Sequence, residues 1–190
     1  MLVNNAGYGL GGFFEDVFDG ELRAQFETNF FGLAAVIRAF LFGMRERRHG
    51  RIVNVSSRSA APIDFADVMM ERGYTGYRAY SQSKLAQVMF TVDLAAELKA
   101  KGIVVQAVHP AAGMDTNMIA SAGWTPRTSI DEGATAVMHV IATAAPSGSY
   151  FVGQTVGTPH AQASDADARR QLREVSRMLT GVSQLSEPRP

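Results

Sequence analysis

Residues 77–86 read Tyr77-Arg78-Ala79-Tyr80-Ser81-Gln82-Ser83-Lys84-Leu85-Ala86, and they open an apolar segment with helical spacing that runs to about Lys101. Tyr80 and Lys84 are four residues apart, so in a helix their side chains lie on one face, one turn apart. A free tyrosine has a pKa near ~10, but a nearby ammonium favours its phenolate form. Such a pair can pass a proton to or from an alcohol or ketone oxygen. The same spacing is also compatible with a solvated pair that does no chemistry.

The segments around this helix predict strands. Residues 103–110 form a continuous apolar run, typical of a parallel strand covered on both faces, and Gly102 separates this run from the helix. Residues 51–57 form a short β-branched run that ends in polar residues, and residues 1–7 read as the end of a buried strand. Alternating strands and helices predict an α/β fold with a doubly wound, mostly parallel sheet.

Periodicity and turn residues predict the other elements. Apolar residues recur at helical spacing over residues 18–49, with a basic cluster near the helix end and Gly50 as the stop. The chain reads as irregular from Pro110 to residue 127. A helix over residues 132–144 and a short strand over residues 149–152 are predicted to follow.

The C-terminal region predicts one more helix and a tail. Ser164-Asp165-Ala166-Asp167 resembles a capping box that opens a helix, which Gly181 is expected to end. We therefore predict a single domain over residues 1–182 and a flexible polar tail over residues 183–190.

Composition excludes several function classes. Of the 190 residues, 46% are apolar, and 18 basic residues balance 18 acidic ones, so no charge pattern for nucleic acid or an anionic membrane is present. There is no cysteine, which excludes disulfides and thiolate metal sites and fits a reducing, cytoplasmic location. No metal site is indicated, and neither a transmembrane segment nor a signal peptide is expected.

A glycine-rich loop, Gly7-Tyr8-Gly9-Leu10-Gly11-Gly12, matches the spacing G-x-G-x-x-G of dinucleotide sites. In that motif the glycines open a helix directly, and an acidic residue ends the next strand. Here four residues intervene before the helical pattern, and Glu27 lies inside it. We therefore interpret the loop as one that lets the backbone bend close to a neighbouring group.

Five short motifs follow one another along the chain: Asn4-Asn5-Ala6-Gly7, Asn29-Phe30-Phe31-Gly32, Val53-Asn54-Val55-Ser56-Ser57, Tyr80-Ser81-Gln82-Ser83-Lys84 and Val108-His109-Pro110. In this order they resemble the short-chain dehydrogenase/reductase family, from its middle to its C-terminus. The retinol-dehydrogenase-like branch of the family is the most similar in three regions. They are the 58–79 segment, the sequence Ser83-Lys84-Leu85-Ala86 and the C-terminal region.

The resemblance implies an NAD- or NADP-dependent oxidoreductase that interconverts an alcohol and a carbonyl on a fairly apolar small molecule. Tyr80 would be the general acid in reduction and the base in oxidation. Lys84 would favour the phenolate and hold the nicotinamide ribose, Ser57 would bind the substrate oxygen, and Asn29 would order a water. Two alternatives remain open. The serines after the strand could serve only to satisfy loop backbone groups, and Asn29 could serve only in packing. His109 is interpreted as a core residue.

Cofactor contacts are also implied by the resemblance. Asn5, Ala6 and Gly7 would line the adenosine and ribose side of the cleft, while Tyr80 and Lys84 would meet the nicotinamide end. The loop after the third strand would cover the nicotinamide through Pro110, Ala111, Gly113 and Thr116. This loop departs from the family, which has Pro-Gly and a threonine five residues after the proline. Here alanine replaces that glycine and Thr116 is six residues on, so the residue that reaches the carboxamide is left open.

The family's first glycine-rich turn and its helix lie upstream of an Asn-Asn-Ala-Gly strand, and this sequence begins at that strand. We therefore expect an N-terminally truncated sheet and weakened cofactor affinity. The alternatives are a catalytically inactive fragment and an oligomerising interaction module. The two broadly apolar helices predict a homo-oligomer.

Overall fold

The strands of the central sheet lie side by side in the order in which they occur in the chain. The computed structural model describes residues 1–8, 18, 20–21, 24 and 27–180. Its strands are β1 (Leu2–Asn4), β2 (Gly50–Val55), β3 (Ile103–His109), β4 (Tyr150–Val152) and β5 (Thr155–Val156), adjacent in that order. The first four are parallel, and β5 pairs antiparallel with β4. The predicted α/β class and mostly parallel sheet are confirmed.

The helices of the described residues connect these strands and follow the last of them. They are α1 (Leu33–Glu46), α2 (Gly76–Leu98), α3 (Asn117–Ser121), α4 (Ile130–Ala142), α5 (Ala161–Ser164) and α6 (Ala166–Thr180). A π-helical turn, Glu27–Gly32, precedes α1, and a 3₁₀ turn, Lys99–Lys101, extends α2. Among these helices, none has both the length and the apolar character needed to span a bilayer.

Both faces of the sheet are covered, because alternate strand residues point to opposite sides. Ile52 and Val105 pack with Leu41 of α1 in one core cluster, to which α2 also contributes. Val53 and Val108, on the other face, pack against α4 in a second cluster. The continuous apolar runs of β2 and β3 follow from this double burial.

Helix α2 is 23 residues long and begins where the side chain of Thr75 accepts a 3.1 Å hydrogen bond from the backbone N–H of Arg78. It buries one apolar face and ends through its 3₁₀ turn at Gly102, which has φ 69°. The left-handed region at this cap favours glycine. The predicted helix over residues 77–101 is confirmed to within a residue at its start.

A row of buried polar groups links the sheet to α2. The Asn4 side-chain amide donates to Asn54 Oδ1 at 2.8 Å, and the Asn54 amide donates to Thr91 Oγ1 at 2.9 Å. Thr91 in turn donates to the backbone carbonyl of Gln87 at 2.9 Å. Because buried polar groups are costly when unpaired, this row holds β1, β2 and α2 in one arrangement.

The carboxylate of Asp93 on α2 binds two arginines of the terminal helix, α6. Asp93 accepts from Arg169 Nε at 2.8 Å and also forms an ion pair with Arg173. The cap of α6 is Asp165, whose Oδ1 accepts from the backbone N–H groups of Asp167 and Ala168. The predicted capping box was therefore placed one residue early, since Ser164 ends the short helix α5. Gly181 and the predicted tail lie outside the described residues.

The prediction that Gly50 stops the first long helix is wrong. Helix α1 ends at Glu46, Arg48 takes the left-handed conformation at φ 49°, and Gly50 is the first residue of β2. A Cβ on Gly50 would lie 2.7 Å from Met44 Cγ. Glycine is needed there because Met44 packs directly against the strand.

Two further expectations differ from the structure. The segment after Pro110, predicted as irregular, contains the short helix α3, and the two-residue strand β5 was not predicted. The glycines at positions 9–12 of the glycine-rich loop lie outside the described residues. Glu27 lies in the helical turn before α1, which agrees with its exclusion as the acidic residue of a dinucleotide motif.

Candidate active site

The predicted site residues follow the carboxyl ends of three adjacent parallel strands. Asn5, Ala6 and Gly7 come directly after β1 and are exposed. Ser57 lies two residues beyond β2, and Pro110 follows β3. Because parallel strands end at one edge of a sheet, these segments converge there, where ligands bind in open α/β sheets.

Tyr80 and Lys84 lie one turn apart near the start of α2. Lys84 Nζ is 5.7 Å from the centre of the Tyr80 ring, and Tyr80 is 44% exposed. Burial lowers the pKa of Lys84 below its ordinary value, because desolvation disfavours the ammonium form. The pair predicted from the spacing is therefore brought together, with an accessible phenol beside a partly desolvated amine.

Ser57 is buried and held at two points. Its Oγ accepts a 3.1 Å hydrogen bond from the backbone N–H of Ser59, and its backbone carbonyl accepts one of 3.0 Å from the Tyr150 hydroxyl. The Ser57 O–H therefore keeps its proton for another acceptor. Ser56, by contrast, donates to the backbone carbonyl of Lys84 at 3.1 Å, which ties the end of β2 to α2. The interpretation that the serines here satisfy backbone groups therefore holds for Ser56, and for Ser57 through its bond from Ser59, although the Ser57 proton stays available.

A cavity of about 130 Å³ lies beside these groups, and we call it the Ser57 cavity. Its walls come from the end of β2, from α2, from β4 and from the segment before α5. The lining residues are Ser57, Arg58, Ala60, Lys84, Leu85, Val88, Tyr150, Val152, Thr158, Pro159 and His160. Ser57 and Lys84 thus share one cavity, and the Tyr80 side chain lies outside its lining.

The remaining predicted site residues are Asn29 and those of the loop after β3. Asn29 lies in the π-helical turn before α1, and its side chain lies outside the described part of the structure. In the loop after β3, Gly113 has φ 64°, and Thr116 donates to the backbone carbonyl of Met114 at 3.3 Å. Thr116 is therefore engaged with its own loop.

Most residues of this lining were not predicted from the sequence, and three of them carry a guanidinium, a phenol or an imidazole. Arg58 follows the strand-end serines, Tyr150 lies in β4, and His160 precedes α5. Only the position of Arg58, directly after Ser57, gave a signal, because loop residues at a strand end are often functional. Tyr150 and His160 reach the cavity through tertiary packing, over a separation of 93 residues in the case of Tyr150 and Ser57.

His109, interpreted as a core residue, is buried at the end of β3. Burial, with the positive charge of Arg58 adding to it, lowers the pKa of His109. Burial also raises the pKa of Tyr150, and the Arg58 charge partly opposes that rise. Over the described ranges, no group of three His, Cys, Asp or Glu residues is arranged to hold a metal ion.

Comparison with known proteins gives one family match. The family model described as short chain dehydrogenase matches residues 1–125. The oxidoreductase claN of Passalora fulva is 39% identical over 133 residues, covering 70% of this chain and 55% of that protein. The polyprenol dehydrogenase of Mus musculus is 32% identical over 203 aligned residues, covering 96% of this chain and 60% of that protein. The chain therefore spans a little over half the length of these two relatives.

A solved structure agrees with the sequence matches. A short-chain dehydrogenase from Streptomyces avermitilis is 26% identical with a TM-score of 0.55, and the match covers 95% of this chain and 65% of that one. The similarity therefore extends over nearly all of the fold described above.

Proposed function

Since the chain belongs to the short-chain dehydrogenase family, we propose that it takes part in NAD- or NADP-dependent interconversion of an alcohol and a carbonyl on a fairly apolar small molecule. The observation that carries this proposal is the pairing of Tyr80 and Lys84 on one face of α2, with Ser57 beside Lys84 in the wall of a shared cavity. These three groups are the ones that a proton transfer to a carbonyl oxygen requires.

In the direction of reduction, the Tyr80 hydroxyl donates its proton to the substrate oxygen, and in oxidation the phenolate takes it back. Ser57 donates its free O–H to the same oxygen and stabilises the charge that develops there. The bonds from Ser59 and Tyr150 hold Ser57 in place for this task. Asn29 is proposed to order a water that links Lys84 to solvent.

The hydrogen-bond donors at the carboxyl edge of the sheet are of the kind that a nicotinamide cofactor needs. Asn5, Ala6 and Gly7, which are exposed, would line the adenosine and ribose side, and the Lys84 ammonium would bind the nicotinamide ribose. The loop from Pro110 through Ala111 and Gly113 to Thr116 would flank the nicotinamide. When bound, the cofactor supplies or accepts the hydride.

Titration with NADPH and NADH, followed by fluorescence, tests the proposal. We expect saturable binding of at least one cofactor, weakened about tenfold in Lys84→Met through the loss of one charged hydrogen bond. Lys99→Met, at an exposed lysine in the 3₁₀ turn that follows α2, is the matched control and should bind like the parent. Absence of binding by a chain with a folded circular dichroism spectrum would replace this proposal with that of a catalytically inactive family member.

We also propose that the chain forms a homo-oligomer through α1. Ile37 and Leu41 of this helix are buried against the sheet, whereas Val36 and Phe40, on its flank, are 42% and 48% exposed. Self-association is a common way to cover such an apolar flank. This surface is also the observation that favours the alternative of an interaction module.

A further inference from the structure

The Ser57 cavity has a positively charged lining. Arg58 and Lys84 contribute cationic side chains, and no aspartate or glutamate belongs to its lining residues. Within the described part of the chain, Arg58 makes neither a side-chain hydrogen bond nor an ion pair, unlike Arg78, which pairs with Asp64 at 3.2 Å. An anionic ligand in this cavity would therefore meet two cations and no carboxylate.

The charge of Arg58 acts on the interior of this region. It contributes to the lowered pKa of buried His109 and opposes the raised pKa of buried Tyr150. Both residues are less than a tenth exposed. Tyr150 and Arg58 both line the Ser57 cavity, so the Arg58 charge acts on a group in the cavity wall, even though Arg58 itself is an exposed residue.

His160 adds a hydrogen-bond donor to the lining of the Ser57 cavity. His160 Nδ1 accepts a 3.2 Å hydrogen bond from the backbone N–H of Gln162. The neutral imidazole then carries its proton on Nε2, so His160 offers a donor in addition to the Thr158 hydroxyl. Leu85, Val88 and Pro159 make other parts of the wall apolar. The lining thus combines hydrogen-bond donors and cations with an apolar surface.

We propose that the Ser57 cavity binds the carboxylate of a small oxo-acid, with Arg58 as the residue that selects for the negative charge. This deepens the proposed function and rests on it in naming the ligand a substrate: the fairly apolar molecule proposed above would carry one carboxylate on a short apolar chain. The planar guanidinium matches a carboxylate through two parallel hydrogen bonds. Ser57 and Arg58 both line this cavity, so one small ligand can place its carbonyl at Ser57 and its carboxylate at Arg58. A cavity of about 130 Å³ suits a ligand of that size.

Ligand binding without cofactor tests this assignment. Levulinate, a five-carbon oxo-acid, is titrated by calorimetry against methyl levulinate, which keeps the ketone but lacks the charge. We expect the acid to bind about tenfold more tightly, the value of one charged hydrogen bond. Arg58→Gln should remove this preference while Arg58→Lys keeps part of it, and Arg177→Gln, an exposed change on α6, should leave it intact.

Three results would overturn the proposal. They are equal binding of acid and ester, a preference that survives Arg58→Gln, and inorganic phosphate binding as tightly as levulinate with the same dependence on Arg58. The last result would assign the cavity to phosphate groups instead. Because no cofactor is present, the outcome is independent of the NADPH titration: a carboxylate preference without cofactor binding would keep this site and remove the proposed oxidoreductase function.

Discussion

The Tyr150 hydroxyl on β4 donates a 3.0 Å hydrogen bond to the backbone carbonyl of Ser57, just beyond β2. Both residues are buried, and β3 lies between their two strands in the sheet. The bond therefore spans one strand and fixes the loop that carries the proposed substrate-binding serine.

Replacing Tyr150 with phenylalanine should loosen this loop. The change leaves a buried carbonyl without its partner, which costs about 1–3 kcal/mol. We expect that loss in urea unfolding, together with a lower kcat for ketone reduction. Tyr74→Phe, at a tyrosine 67% exposed, is the control. Unchanged stability and kcat in Tyr150→Phe would show that Ser57 is held by other contacts.

Tyr80→Phe should abolish reductase activity and leave the fold intact. The change removes the proposed proton donor, and a general acid contributes typically ~10²–10⁴-fold. Tyr77→Phe is a close control, because Tyr77 lies in the first turn of the same helix and is 71% exposed. Activity of Tyr80→Phe within about threefold of the parent, well short of that range, would exclude Tyr80 as the acid.

The ring of His109 should titrate below the ordinary histidine pKa of 6.5, because burial and the Arg58 charge both lower its pKa. As the pH falls through 6.5, the unfolded chain binds a proton at His109 before the folded chain does. The free energy of unfolding therefore decreases with falling pH until the pH reaches the lowered pKa of His109 in the folded state. Arg58→Gln removes one of the two causes and should raise the pKa, as followed by NMR of the ring protons. An identical titration in Arg58→Gln and in the control Arg177→Gln would contradict this.

Gly102→Ala should destabilise the protein. Gly102 has φ 69°, and an added Cβ would lie 2.2 Å from the backbone oxygen of Arg48. The left-handed conformation alone costs an alanine about 1–2 kcal/mol, and the clash adds to it. Gly76→Ala is the matched change, since nothing lies within 4 Å of its Cβ position. Urea unfolding with equal midpoints for the two variants would rule out strain at Gly102.

Phe40→Glu should convert the proposed oligomer to monomer, because it places a charge on the apolar flank of α1. Phe42→Glu is the control: Phe42 is 69% exposed but lies two residues further on, toward the opposite side of the helix. Light scattering measures both variants. A parent chain that is monomeric at micromolar concentration would reject the proposed interface.

Local pattern was enough to predict the elements that carry the proposed site. The spacing of Tyr80 and Lys84 determines a shared helical face, and the continuous apolar runs of β2 and β3 reflect burial on both sides. The serines after β2 follow from the same pattern, because polar residues directly after a buried strand lie at the sheet edge.

The residues that were not predicted depend on contacts distant in sequence. Gly50 is required by the position of Met44 against it, which helical periodicity does not reveal. Tyr150 and His160 reach the Ser57 cavity only once β4 and α5 have packed beside α2. The conformation of the loop around Thr116 depends on hydrogen bonds within residues 112–128, so its contacts could not be read from the threonine's spacing.

The order of the strands has a consequence for assembly on the ribosome. Each of β2, β3 and β4 pairs with the strand synthesised before it, and Asn4 and Asn54, which are hydrogen bonded, are 50 residues apart. A strand that leaves the exit tunnel therefore meets an edge that is already built, and only the connecting segment must fold in between. From β1 to β4 the sheet can therefore extend strand by strand at the pace of translation. Helix α6, which Asp93 joins to α2, leaves the ribosome after these four strands, so it packs on α2 when the sheet edge that holds the proposed site has already formed.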